Sequence, residues 1–386
     1  MSIIYFDQAA SSFPKPNTVA NAVAKAINEY GANPGRGGHQ LANRASEVIY
    51  ETRAKLAKLF GEKDPNNVIF CQNATHALNQ GIKGFPLEKG DHVISTSYEH
   101  NSVRRPLEYL KQEKGIKVTY LKSDINGHIS KEDLIGEILP ETKLVVTSHG
   151  SNLTGAIFPI EMIGSVCKER GISFLVDASQ TAGILPIHME QMNIDMLAFP
   201  GHKGLLGPQG TGVLIVNKSV ELSPIFHGGT GSHSEQKDQP SERPNRYESG
   251  TLNTPGIAGL SAGVDEVVRI GVENIFEHEW ELTQYCLEKM NKIDGVTVFG
   301  PDSSKKRLAV IPFVIDGTDI QEITMIFDQH YQVALRGGLH CAPLAHETIG
   351  TIEAGTIRAS FGIYNTKEEI DQFINMIIEI KEGLVG

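Results

Sequence analysis

Cysteine is scarce in this chain, with four in 386 residues and none in Cys-x-x-Cys spacing. That excludes a disulfide framework. No apolar run is long enough to span a bilayer, and the opening Met1 to Asp7 lacks a basic stretch followed by a cleavage site. Positive charge is not in excess either. With 35 Lys and Arg against 46 Asp and Glu, the net charge of −11 excludes a general nucleic-acid or anionic-membrane binder. Internal repeats and low-complexity tracts are also missing. What remains is ordinary globular composition, 40% hydrophobic and 21% charged, on a chain long enough for two lobes. The expectation is a cytoplasmic enzyme with reduced thiols.

Between about residues 50 and 220, short apolar runs alternate with helical patterns. Residues 68–70, 92–95, 118–121, 144–147, 172–176, 196–199 and 212–216 read as strands. Residues 77–85, 103–113, 131–138 and 160–170 read as helices between them. This predicts a doubly wound, mostly parallel α/β sheet with ligands at the carboxyl ends of its strands. Residues 227–254 hold hardly any apolar side chain and read as a functional loop or lid. Helices at 257–269 and 272–292, strands at 308–315 and 356–360, and a helix at 367–381 follow, predicting a smaller α+β domain. The expected division is 16–256 for the large domain, with 1–15 and 257–386 for the small one.

Two spans carry the chemistry. Asp177 closes the apolar strand 172–176, and the run 196–199 delivers Lys203 between Gly201 and Gly204. Pyridoxal phosphate needs both residue types: an amine for its aldehyde and a carboxylate to keep its ring nitrogen protonated. Each residue also has a plainer reading. Lys203 is otherwise a solvated side chain, and Asp177 a turn acid or helix cap. Gln180 suits a neutral hydrogen bond to a phenolic oxygen. Ala74 and Thr75, after Asn73, open a helix whose free N–H groups suit a phosphate, or are simply capped. His100 opens another helix, as a cap or as a ring that stacks on a flat cofactor and carries protons. Asn152 lies in a loop after a strand and is ambiguous alone. Cys341 differs from Cys71, Cys167 and Cys286, which sit in apolar patterns. It follows His340 in a segment rich in Gly, His and Pro, a setting that suits an exposed thiol active as thiolate as well as an inert one. Arg358 is an ion-pair partner or a bidentate carboxylate clamp.

Together these residues resemble the cysteine desulfurases, within the class V aminotransferase-like group of fold-type I PLP-dependent enzymes. The likeness runs from Tyr5-Phe6-Asp7-Gln8-Ala9-Ala10-Ser11 through Arg36-Gly37-Gly38-His39, Asn73-Ala74-Thr75 and Glu99-His100-Asn101. It continues through Asp177, Gln180, His202-Lys203 and Glu248-Ser249-Gly250-Thr251 to Arg336–Cys341 and the segment 358–366. The resemblance implies that Lys203 carries the cofactor, Asp177 pairs with its ring nitrogen, and His100 stacks and transfers protons. It implies Gln180 and Asn152 as cofactor and substrate contacts, and Thr75, Ala74 and His202 around the phosphate. Thr251 would reach the phosphate of a neighbouring subunit, implying a homodimer. Arg358 would anchor the substrate carboxylate, and Cys341 would take sulfur from L-cysteine as a persulfide, leaving L-alanine. No metal is implied.

Gln8 departs from the family's usual asparagine, 229–247 matches no family motif, and 342–350 looks peculiar to a subgroup. These departures bear on the sulfur-acceptor protein and on L-cysteine against L-selenocysteine. A selenocysteine lyase, a cysteine sulfinate desulfinase and another C–S lyase are the alternatives on this scaffold.

Overall fold

The computed structural model describes residues 3–35, 38–232 and 234–385. Arg36 and Gly37 of the quoted motif, and His233 of the polar loop, lie outside the described residues. The main sheet has seven strands. Across it they run Val68–Cys71, Gly212–Val216, Met196–Pro200, Ser173–Asp177, Thr142–Ser148, His92–Thr96 and Lys117–Leu121. Gly212–Val216 is antiparallel to both its neighbours, and every other pairing is parallel. The expected doubly wound α/β sheet is therefore present.

The near-continuous apolar runs of these strands follow from burial on both faces. Successive side chains point to opposite sides. Phe174 and Val176 join one core with Phe199 and Val213, while Leu175 joins the other with Met196, Ala198 and Leu214. Helices Ala74–Gly84, Asn101–Lys114 and Ile160–Arg170 cover the sheet, each beginning within three residues of its expected start.

The smaller sheet is antiparallel, in the order Arg336–Gly338, Thr356–Ser360, Val310–Ile315 and Val296–Val298. The amino terminus belongs to it in space. Ile4–Tyr5 pairs with Val333–Ala334 and Asp7 bridges Ser360. Phe6 is fully buried, edge-on to Phe361 and Phe373 at 4.9 and 5.4 Å. Burying that one ring contributes about 2–3 kcal/mol, enough to hold a short terminal strand in place. Strands of two or three residues carry no periodicity, so Val296–Val298, Val333–Ala334 and Arg336–Gly338 had no sequence signature. The strand expected at 308–315 starts at Val310.

Helix Thr254–Ile270 starts three residues earlier than expected and packs on helices Asn17–Tyr30 and Gln40–Phe60. We propose that the chain divides as its sequence suggests, 16–256 against 1–15 with 257–386, and that this helix joins the two parts. Among the described residues, 227–253 form no strand. They are pinned by Arg243, which donates to Val216 O at 2.9 Å and Asn67 Oδ1 at 3.0 Å, and by the buried Arg53–Glu248 pair.

Candidate active site

A cavity of about 220 Å³ opens at the carboxyl ends of the main strands, between the two sheets. Its large-lobe wall is made of residues that immediately follow strands. Asp177 ends Ser173–Asp177, in register with Ser148 of the next strand. The carboxylate is 3% exposed, and its Oδ1 accepts from the Ser179 N–H at 2.9 Å and from the Ser179 hydroxyl. Lys203 follows Met196–Pro200 on a tight turn. A Cβ at Gly201 would lie 2.2 Å from Thr211 Oγ1, and one at Gly204 would lie 2.5 Å from Ala182 O. The flanking glycines are therefore required by close backbone approach.

Ala74 and Thr75 open helix Ala74–Gly84, capped by Asn73, whose Oδ1 accepts from His76 N at 2.9 Å. His100 caps helix Asn101–Lys114. Its Nδ1 accepts from Ser102 N at 3.0 Å, so the neutral ring carries its proton on Nε2. Burial holds His100 at about 4, against the pull of Asp177. Burial, with Lys203 and Lys15 nearby, also puts His202 at about 4. Both rings are uncharged at neutral pH. Lys203 is lowered to about 8 by burial, with Asp177 opposing and Arg358 and Arg336 assisting. Its amine makes no hydrogen bond among the described residues.

The small-lobe wall is built from distant pairings. Arg358, 2% exposed, donates from Nη1 to Asn152 O at 2.9 Å and from Nη2 to Asp7 Oδ1 at 2.7 Å. Arg336 faces Arg358 across the strand pair, a repulsive neighbour that Asp7 offsets. The Asn152 amide donates to His340 O at 2.7 Å, and Asn101 N donates to Cys341 O at 2.8 Å. His340 and Cys341 have φ of 48° and 58°, and Ala342 N donates to Leu339 O at 2.9 Å. That is a type I′ turn built without glycine, costing on the order of 1 kcal/mol or more at each residue. It presents Cys341 exposed, whereas Cys71, Cys167 and Cys286 are buried.

Ten of the eleven residues singled out from the sequence line this cavity: Lys203, Asp177, Gln180, His202, Ala74, Thr75, His100, Asn152, Arg358 and Cys341. Thr251 does not. It is exposed and borders two neighbouring depressions. Some side chains are engaged differently from expectation. Gln180 donates to Ala9 O at 3.1 Å, and the Asn152 amide serves the Cys341 turn. Gln8 closes the amino-terminal loop, accepting from Phe13 N at 3.0 Å and donating to Phe13 O at 2.7 Å. The sequence reading assigned no role to Asp7, Ser102, Ser179 or Arg336. Only Ser102 and Ser179, two residues beyond His100 and Asp177, had a usable signal as local cap and turn partners.

The donor set fits a phosphorylated pyridine aldehyde. A free amine, a strand-end carboxylate and a helix amino terminus share one cavity, and His202 Nδ1 is buried beside it with no partner among the described residues. Fold and cavity together define an α/β enzyme of the fold-type I class.

Residues 4–373 match the class-V aminotransferase family. A probable cysteine desulfurase of Pyrococcus abyssi is 33% identical over 99% of this chain and 95% of its own length. One from Methanothermobacter thermautotrophicus is 34% identical over 98% and 94%. The apo structure of a cysteine desulfurase from Thermococcus onnurineus superposes with a TM-score of 0.93 at 33% identity, covering 99% of this chain and 95% of that one. An Escherichia coli cysteine desulfurase gives 0.89 at 26% identity, covering 98% and 95%. The chain thus belongs to the class-V aminotransferases and, within them, to the cysteine desulfurases, families that depend on pyridoxal phosphate. Among the described residues no helix is long and apolar enough to cross a membrane.

Proposed function

We propose that this protein converts L-cysteine to L-alanine and moves the sulfur onto Cys341 as a persulfide. The observation that carries this reading is the exposed Cys341 thiol on the same cavity as Lys203, Asp177 and Arg358. Lys203 would hold pyridoxal phosphate, Asp177 its ring nitrogen, and His202, Thr75 and the Ala74 N–H its phosphate. Gln180 would face its phenolic oxygen and His100 its ring. When bound, the cofactor acts as an electron sink that acidifies the α-carbon of an attached amino acid and weakens its Cβ–S bond.

Arg358 orients the substrate by its carboxylate, with Asn152 and Asp7 fixing the guanidinium plane. Lys203, titrating near 8, has enough neutral amine to accept the Cα proton. His100 presents Nε2–H to the cavity and hands protons on without becoming a standing cation. The Cys341 thiolate then attacks the substrate sulfur. An S–S bond forms as the Cβ–S bond breaks, and its electron pair stays with the carbon skeleton, which leaves protonated as L-alanine. A reducing thiol or an acceptor protein removes the sulfur. Thr251 would serve a neighbouring copy in a homodimer, and we propose a cytoplasmic setting.

The test is product analysis from L-cysteine and a reducing thiol. Alanine and sulfide are expected from the wild type and neither from Cys341→Ala, which keeps its cofactor absorbance. Pyruvate, or turnover indifferent to Cys341, would move the chemistry to a lyase.

A further inference from the structure

Residues 7–15 strap the small lobe to the turn that carries Lys203. Three donors converge on one backbone oxygen, that of His202: Ser12 N at 3.0 Å, Lys15 Nζ at 2.8 Å and Ser11 Oγ at 3.3 Å. The Ser12 hydroxyl donates to Lys203 O at 2.9 Å and accepts from Lys15 Nζ at 2.7 Å. Lys15 is half-buried and, among the described residues, is paired with no carboxylate. An ammonium drawn out of water without a counter-charge is costly, and a fold keeps one where another charge compensates it.

The phosphate end of the cavity offers that charge. The groups read there are uncharged: the neutral His202 ring, the Thr75 hydroxyl and the amino terminus of helix Ala74–Gly84. Lys203 is committed to the aldehyde, and Arg358 and Arg336 stand on the small-lobe wall with Cys341. A phosphate dianion held by these groups alone would have dipoles and no cation. Lys15 is close enough to depress the titration of His202.

We propose that Lys15 is a positioning residue for the cofactor phosphate: fastened to the His202 carbonyl, it fixes that residue and supplies a positive charge behind its ring. The inference rests on the pyridoxal phosphate reading above and names a part of that site which the sequence did not point to.

The test compares two ligands on the apo protein, pyridoxal phosphate and pyridoxal, by absorbance titration. Lys15→Gln is expected to weaken pyridoxal phosphate roughly tenfold, because a unit charge acts on a dianion across a partly screened path. Pyridoxal should change less than about twofold, and Lys15→Arg should restore most of the difference. In the wild type, the ratio of the two affinities should fall as pH rises past about 8, where Lys15 loses its charge. Lys203 titrates in the same range but binds both aldehydes and cancels from the ratio, and His202 is already neutral.

Parallel weakening of both ligands would make Lys15 merely a structural brace and overturn the proposal. So would an unchanged ratio in Lys15→Gln, or a flat wild-type ratio across that pH range, which needs no variant to fold. Failure of the wild type to bind either ligand would instead strike the functional reading itself.

Discussion

The two walls of the cavity are built by different means. The large-lobe wall follows the ends of parallel strands, and each residue sits within a few positions of the strand or helix that places it. Asp177 and Lys203 are of this kind. The small-lobe wall is assembled from parts far apart in the chain: Arg358 is held by Asp7, 351 residues away, and by the Asn152 carbonyl, 206 residues away. Cys341 rides a turn with two successive left-handed residues, neither of them glycine. On the proposed function, cofactor binding would rest on regular structure that a local change disturbs little. Substrate anchoring and sulfur transfer would rest on a network whose disturbance affects several contacts at once.

The largest effects should separate the walls. Lys203→Ala and Cys341→Ala are each expected to lower desulfuration by roughly 10³-fold or more. Only the first should abolish the visible absorbance of the bound cofactor. Loss of colour in both would mean that the walls are not independent. Next, Arg358→Lys keeps the charge but loses the fork that spans Asp7 and Asn152. KM for L-cysteine should rise about 10- to 100-fold with the cofactor still bound, and an unchanged KM would remove Arg358 from substrate binding.

A smaller effect concerns Glu279, 7% exposed on helix Val272–Met290, behind the Lys203 turn. Burial raises its carboxyl to about 8. Below the unfolded value near 4.5, both states hold the proton. Above it only the unfolded chain ionises, so the folded state loses stability with each rise in pH until about 8. Glu279→Gln should flatten the fall in Tm between pH 5 and 8, and an unaltered slope would show the carboxyl to be solvated. The smallest effect is expected from Gln8→Asn, which shortens the brace on Phe13. Apo stability should fall by no more than about 1 kcal/mol, with KM unchanged.

Legibility follows the same division. The strands ending at Asp177 and leading to Lys203 were readable because two-sided burial demands continuous Val, Ile, Leu and Phe. Helix starts at Asn73 and His100 were readable because capping is a local hydrogen bond. Arg336 carries no legible role, since nothing in its sequence neighbourhood shows that it stands across from Arg358. Asp7 stands in the opening motif with no role attached to it, and nothing in the sequence singles out Lys15.

The sequence by itself determined the alternation of strands and helices, the acid and lysine at strand ends, and the one cysteine outside an apolar pattern. Each of these is dictated by hydrophobic periodicity, turn chemistry or capping within a few residues. Tertiary structure alone decided that Asp7 faces Arg358 and that Lys15 is held on the His202 carbonyl. Those contacts arise from the packing of separately formed cores. The residues that meet there carry no local constraint that would mark them in advance.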